Sequence, residues 1–372
     1  MSARVIQGDL FESLIPMLIS SGYRVVAPTL DEGAIVYDVI DDAADLPIGW
    51  TDEQGPASYR SYDRGDDVYF GYSVGPRSLR AFLSPPHLTL LTITRGDTDL
   101  AFASDEHEGR AYAFVGVRAC DLAALAIQDK VLVESRFVDA AYTSARSRSL
   151  VIAVNCSVAG ATCFCASMGT GPRCSSGYDL VVTELVRGDA HEFVVESGTD
   201  AGADILGALG SREASPSDIT DAADVSLATE RAISTSMPDV DTYTLLTDNL
   251  EHSIWEDIAQ RCLSCTNCTL VCPTCFCSTI SDFTDLAGKA TRTKSWDSCF
   301  SLDFSNLHGH PVRTSSSSRY RQWITHKLAY WYDQFGSSGC VGCGRCITWC
   351  PVGIDITEEI QRLDSEAQEV PV

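Results

Sequence analysis

Lysine is nearly missing from this chain of 372 residues: there are four, against 23 arginines. The 51 acidic side chains leave a net charge of −24. A surface this acidic repels phosphate backbones and anionic lipid headgroups, which argues against nucleic acid and such membranes as partners. Long apolar runs are missing too. No stretch reaches the length of about 18 residues that a membrane-spanning helix needs. An export signal would need apolar residues where Asp9 stands, and the start has no twin-arginine pair. A cytoplasmic location is expected on that basis.

Several signatures of chemistry are absent as well. There is no GxGxxG after a strand and no GxxxxGK[ST], so flavin and nicotinamide have no local support. The histidines form no HExxH. His308 and His310 make the one close pair, and their spacing in a loop reads as incidental. No residue pair offers an acid and a base for a substrate, so a non-catalytic role is expected.

Cysteine, by contrast, is plentiful: 16 residues. Cys262, Cys265, Cys268 and Cys272 follow the spacing C-x2-C-x2-C-x3-C and are followed by Pro273. Cys340, Cys343, Cys346 and Cys350 repeat it, followed by Pro351. This is the spacing that holds cubane [4Fe–4S] clusters. The short intervals let three thiolates of one turn reach three corners. The fourth cysteine leaves the turn, and in two-cluster proteins it serves the other cluster. The expected ligand sets are therefore Cys262, Cys265, Cys268 and Cys350, and Cys340, Cys343, Cys346 and Cys272. Zinc ribbons use paired CxxC units and have no use for the C-x3-C-P tail. Disulfides belong to oxidising compartments, whereas this spacing speaks for metal in a reducing one.

The length suggests two domains. Residues 1–240 read as α/β (α+β). A helix is expected over 10–19, strands over 23–28 and 34–40, and mostly loop over 55–76. Strands follow over 111–117, 150–154, 178–184 and 192–195, with a helix over 121–130 and helical patterns over 201–209 and 219–236. Residues 237–249 read as a connector. Residues 250–372 read as a helical two-[4Fe–4S] ferredoxin-like domain, with helices over 254–261 and 320–335. The gap of 67 residues between the motifs argues for that helical variety. The serine-rich 313–319 stretch reads as a solvated turn.

Eight cysteines lie outside the two motifs. Cys120 and Cys156 follow strands, and Cys163 and Cys165 lie in the loop beyond. Strand ends that open toward one edge can bring such residues together. These four are the expected ligands of a third cluster, with Cys174 and Asp121 in reserve. The plainer reading is that they are small buried apolar side chains. Cys275, Cys277 and Cys299 are expected to pack against the clusters and tune them. A further metal held by these three is the alternative.

The segments Gly116-Val-Arg-Ala-Cys-Asp-Leu122, Cys163-Phe-Cys-Ala-Ser-Met-Gly-Thr-Gly-Pro172 and Gly177-Tyr-Asp-Leu180, followed by the two cluster motifs, occur in that order. Together they resemble the β subunit of cytoplasmic sulfhydrogenases, the NAD(P)-linked nickel–iron hydrogenases. The chain is also similar to the A subunit of anaerobic sulfite reductase. The likeness runs over about residues 70–360. Gly71-Tyr-Ser-Val-Gly-Pro76 fits it less distinctively, and Cys174 has no counterpart in it. The resemblance implies a relay without flavin. It would pass electrons between a flavin/NAD(P)-binding subunit and the small subunit of a nickel–iron hydrogenase, with the large subunit beyond. The chain itself lacks the paired L-C-x-x-C motifs of such a large subunit. A relay for sulfite or sulfur reduction is the alternative. A stand-alone iron–sulfur binding or sensing protein is the other.

Overall fold

The structure is a computed structural model that describes residues 3–96, 99–104, 111–188 and 190–369. Four parallel strands form the middle of an eight-stranded sheet: Arg24–Asp31, Tyr112–Val117, Leu150–Val154 and Leu180–Arg187. Every residue of Tyr112–Val117 and Leu150–Val154 is buried. A parallel sheet covered on both faces calls for such unbroken apolar runs. Antiparallel strands finish the edges: Ala34–Val39 on one side, and Ala190–Ser197, Arg4–Gln7 and Arg212–Glu213 on the other.

Helix Leu10–Ser20 covers one face, setting Phe11, Leu14, Ile15 and Leu18 against Ala113, Val115, Ile152 and Val154. Helices Ala119–Leu132 and Ala140–Ser147 cover the other, setting Leu122, Leu125 and Tyr142 against Tyr112, Phe114, Val151 and Ala153. Neighbouring strand residues go to opposite cores, as the two-residue period requires. The register slips once. Val115 pairs with Ile152 and Val117 with Ala153, leaving Gly116 as a bulge. Gly116 sits at φ +76°, and a Cβ there would stand 3.0 Å from Phe70 and Pro28. The bulge re-aims the chain, so that Arg118 and Cys120 arrive at the carboxyl end of the strand.

A second sheet, wholly antiparallel, has the order Ser278–Thr284, Ala290–Trp296, His87–Arg95, Leu100–Ala103. Its two hairpins come from either side of the expected boundary near residue 240. The C-terminal helices Ile254–Arg261, Ser316–Thr325 and Ile356–Glu369 enclose an apolar core containing Trp255, Phe300, Tyr320, Trp323, Ile347 and Leu363.

Four expectations are refined. The stretch over 55–76, expected to be mostly loop, is so apart from the strand Ser58–Asp63, which pairs with Trp50–Gly55. Its polar residues suit strands with a wet face. The connector over 237–249 contains helix Thr242–Asp248, capped by the Asp241 side chain. The helix expected over 320–335 is three pieces: Ser316–Thr325, a π-helical turn His326–Tyr330 and Trp331–Phe335. The serine run is a helix start, because the Ser315 hydroxyl accepts from the Ser318 amide.

Candidate iron–sulfur centres

Each cysteine motif opens with the same backbone. In the first loop Ser264 and Thr266 take left-handed φ values of 49° and 70°; in the second, Gly342 and Gly344 take 63° and 74°. The curl turns successive cysteines inward. The Ser264 amide lies 3.4 Å from Cys262 Sγ, and the Gly342 amide 3.5 Å from Cys340 Sγ. The Ile354 amide points likewise at Cys350 Sγ, at 3.4 Å. Amides aimed at sulfur favour a negatively charged thiolate.

The thiols gather in two neighbouring cavities. One is lined by Cys262, Cys265, Cys268 and Cys350 among apolar side chains that include Phe300, Tyr320 and Trp323. The other is lined by Cys272, Cys340, Cys343 and Cys346, with Lys327, Thr274 and Phe164. The fourth cysteine of each motif thus faces the other motif's three. Cys346 borders both cavities. Among the described residues, no set of His, Cys, Asp and Glu converges closely enough to hold a single metal ion. A cubane spreads its four thiolates over the corners of a cage, wider than a mononuclear site.

The charges around the second cavity suit an anionic group. Lys327 is buried and donates to Cys272 Sγ at 3.3 Å, Thr274 Oγ1 at 3.0 Å and the Gly339 carbonyl at 3.1 Å. The groups that would favour its charge are the thiols of Cys272, Cys275, Cys340 and Cys346, of which Cys272 is held low as a thiolate, and among the described residues Lys327 forms no carboxylate ion pair. A buried cation with no carboxylate partner is costly. A thiolate-bound cluster would supply the missing negative charge. Burial pushes the Cys340 thiol up to about 12, so metal binding is what would deprotonate it.

The third expected set stands against the second cavity. The Phe164 amide donates to the Gly342 carbonyl at 2.8 Å, and Thr170 Oγ1 to the Val341 carbonyl at 2.6 Å. Cys163 Sγ lies 4.0 Å from the Cys343 carbonyl oxygen. Cys120 and Cys165 pack in one apolar cluster with Cys343. After burial, the influences that raise the Cys163 thiol are Cys165, Cys156 and Cys343. Cys120, Cys163 and Cys165 thus adjoin Cys343, and Cys156 adjoins Cys163 and Cys165.

The reserves are placed differently. Cys174 turns its Sγ toward the Val154 carbonyl, 3.7 Å away, within the sheet core. Asp121 is engaged by Arg345: Nη1 lies 2.9 Å from Oδ1 and Nη2 donates to Oδ2 at 3.2 Å. Tyr37 donates to the same Oδ2.

Cys275, Cys277 and Cys299 lie near the second cavity. The strongest influence on Cys275 is Cys272, and the strongest on Cys299 is Cys277. Arg80 is buried beside them. It donates to the Thr269 carbonyl at 3.2 Å and stacks 3.7 Å over Trp296. Lys327, Arg80 and Thr274 were not legible as site residues, since no spacing links them to a motif. Arg118 lay inside a quoted motif. It is buried, donates to the Phe70 and Tyr72 carbonyls, and its charge faces Cys156.

Among the described residues no helix is long and apolar enough to cross a membrane. A family model for a 4Fe–4S dicluster domain matches residues 261–354. The chain is 29% identical over 253 residues to sulfhydrogenase 2 subunit beta of Pyrococcus furiosus, which spans 66% of this chain and 71% of that protein. No solved structure matches it. The class is therefore an iron–sulfur protein with a 4Fe–4S dicluster domain at the C-terminal end of a mixed α/β chain. Its similarity to that sulfhydrogenase β subunit follows the motifs that carry the resemblance.

Proposed function

We propose that this chain is a single-electron relay in a hydrogenase complex. Cys262, Cys265, Cys268 and Cys350 hold one [4Fe–4S] cluster, and Cys340, Cys343, Cys346 and Cys272 hold the second, in a helical ferredoxin-like domain over 250–372. Cys120, Cys156, Cys163 and Cys165 hold a third in the α/β domain over 1–240. When bound, the clusters accept and release one electron at a time. The chain's own residues position them, bury them and set their charge environment.

The observation that carries this reading is contiguity. The loop bearing Cys163 and Cys165 is hydrogen-bonded onto the second motif, and Cys346 borders both motif cavities. Three cysteine sets in one unbroken file suit a wire. Its ends would meet a flavin/NAD(P)-binding subunit and the small subunit of a nickel–iron hydrogenase in the cytoplasm.

Replacing Cys163 with Ser in the assembled complex is the test. Hydrogen-dependent NAD(P) reduction should be lost, while hydrogen oxidation with a dye that draws on the hydrogenase subunits directly should persist. Full NAD(P)-linked activity in a variant that lacks the third cluster would take that cluster off the path. Siroheme in place of nickel in the purified complex would transfer the chain to sulfite reduction.

A further inference from the structure

Lys327 is one of four lysines in the chain, and its ammonium is enclosed. It sits on the π-helical turn His326–Tyr330. Such a turn inserts one residue into the helical phase, a device found at functional sites. Here the residue on either side of the shift has its own task. His326 Nε2 accepts from the Trp331 indole at 3.1 Å, and burial pushes that imidazole down to about 4. Lys327 points instead at Cys272.

The backbone fixes it there. The Gly339 amide donates to the Lys327 carbonyl at 2.8 Å, while Lys327 Nζ donates back to the Gly339 carbonyl at 3.1 Å. Gly339 directly precedes Cys340. All three ammonium protons have acceptors, one of them a thiol sulfur. Arg345 also approaches this centre, beside Cys343, but is neutralised by Asp121 at 2.9 Å. Arg80 reaches only the peptide carbonyl side of Cys272, at 3.4 Å. Among the described residues, no lysine, arginine or histidine lines the first cavity.

Reduction adds one negative charge to a cluster. A buried, water-poor setting opposes that charge, whereas a fixed cation and a hydrogen bond to ligand sulfur favour it. We propose that Lys327 is the residue that keeps the buried second cluster reducible, raising its potential through its charge and its contact with Cys272. This rests on the reading that Cys272 is a ligand of that cluster. The balance is one electron in and none of the chain's bonds made or broken. Lys327 is a positioning and tuning residue, not a catalytic one.

The test is an EPR-monitored redox titration of the purified full-length chain. Lys327→Gln and Lys327→Met should lower the potential of the second cluster by a tenfold or larger change in its one-electron equilibrium, about 59 mV per tenfold. Lys327→Arg, which keeps the charge, should stay close to the wild-type value. The first cluster should not move in any variant. An unchanged second potential in Lys327→Gln with the signal intact overturns the proposal. So does loss of the cluster in all three variants, since the residue would then be scaffold. If Lys327→Met alone fails to assemble, Lys327→Gln decides. Cys272→Ser separates the two readings. If Lys327→Gln shifts the cluster that survives Cys272→Ser, the ligand assignment is wrong and the tuning claim for the second cluster falls with it. If Lys327→Gln shifts nothing while Cys272→Ser removes the second cluster, the ligand reading stands and the tuning claim alone fails.

Discussion

In the first cysteine loop, Thr266 holds a left-handed φ of 70° with a β-branched side chain; in the second, Gly344 holds 74° at the same position. The backbone is shared, so conformation alone does not explain the glycine. Surroundings do. A Cβ on Gly344 would stand 2.4 Å from the Thr162 carbonyl oxygen, and one on Gly342 would stand 2.7 Å from the Cys165 amide nitrogen. The second loop lies beneath the 162–165 segment and has no room for a side chain. The first faces outward, with Cys265 exposed and room for Thr266. The residue after Thr266 is Asn267, exposed and donating to the Trp349 carbonyl. Its counterpart after Gly344 is Arg345, buried against Asp121. One loop is a rim and the other a keystone between two parts of the chain.

The largest expected effect distinguishes the loops by their fourth cysteines. Cys272→Ser should remove the cluster built on the second loop, and Cys350→Ser the one built on the first. Iron analysis should fall from about 12 atoms per chain, three cubanes of four, to about 8 in each. EPR of the two variants tells which cluster has gone. Damage confined to the local loop in each case would break the crossed assignment.

Next comes Arg345→Met. It strands a buried Asp121 carboxylate, so a stability loss of about 3–5 kcal/mol is expected. Asn267→Ala, its counterpart on the rim, should cost well under half of that. Equal losses in denaturant unfolding would erase the contrast. Gly344→Ala should cost about 2–4 kcal/mol, joining left-handed strain to overpacking. It should also loosen the 162–165 segment, seen as faster amide exchange there. The smallest effect has the opposite sign. Thr266→Gly relieves a strained residue at some cost in chain entropy, for a net gain of about 0.5–1 kcal/mol. A loss would mean that Thr266 holds something the second loop does not need.

The spacing of the cysteines carries the dicluster domain, because each C-x2-C-x2-C-x3-C run is local and repeats once. Strands such as Leu150–Val154 are legible for the same reason: an apolar run needs no partner to be recognised. Lys327 was not legible, since its role depends on a π-helical turn that shifts its phase and on Gly339, a contact that periodicity does not encode. The Trp50–Gly55 and Ser58–Asp63 hairpin escaped because glycine, aspartate and tyrosine read as loop when the strand is half wet. The Arg345–Asp121 pair spans two regions that sequence reasoning treats separately. Asp121 therefore looked like a spare ligand.

The four-stranded sheet sets an order of events during synthesis. His87–Arg95 pairs with Leu100–Ala103 nearby, but its other edge waits for Ala290–Trp296. At about 5–20 residues per second, a ribosome takes roughly 10–40 s to supply that partner. Through that interval His87–Arg95 presents an unpaired edge, which is a hazard for aggregation. The Cys163–Cys165 segment waits a similar interval for its seat on Gly342, which emerges later in synthesis. A nascent chain captured before the second cysteine loop emerges should therefore be aggregation-prone, and on the crossed ligand sets neither motif cluster could be completed before that loop is made.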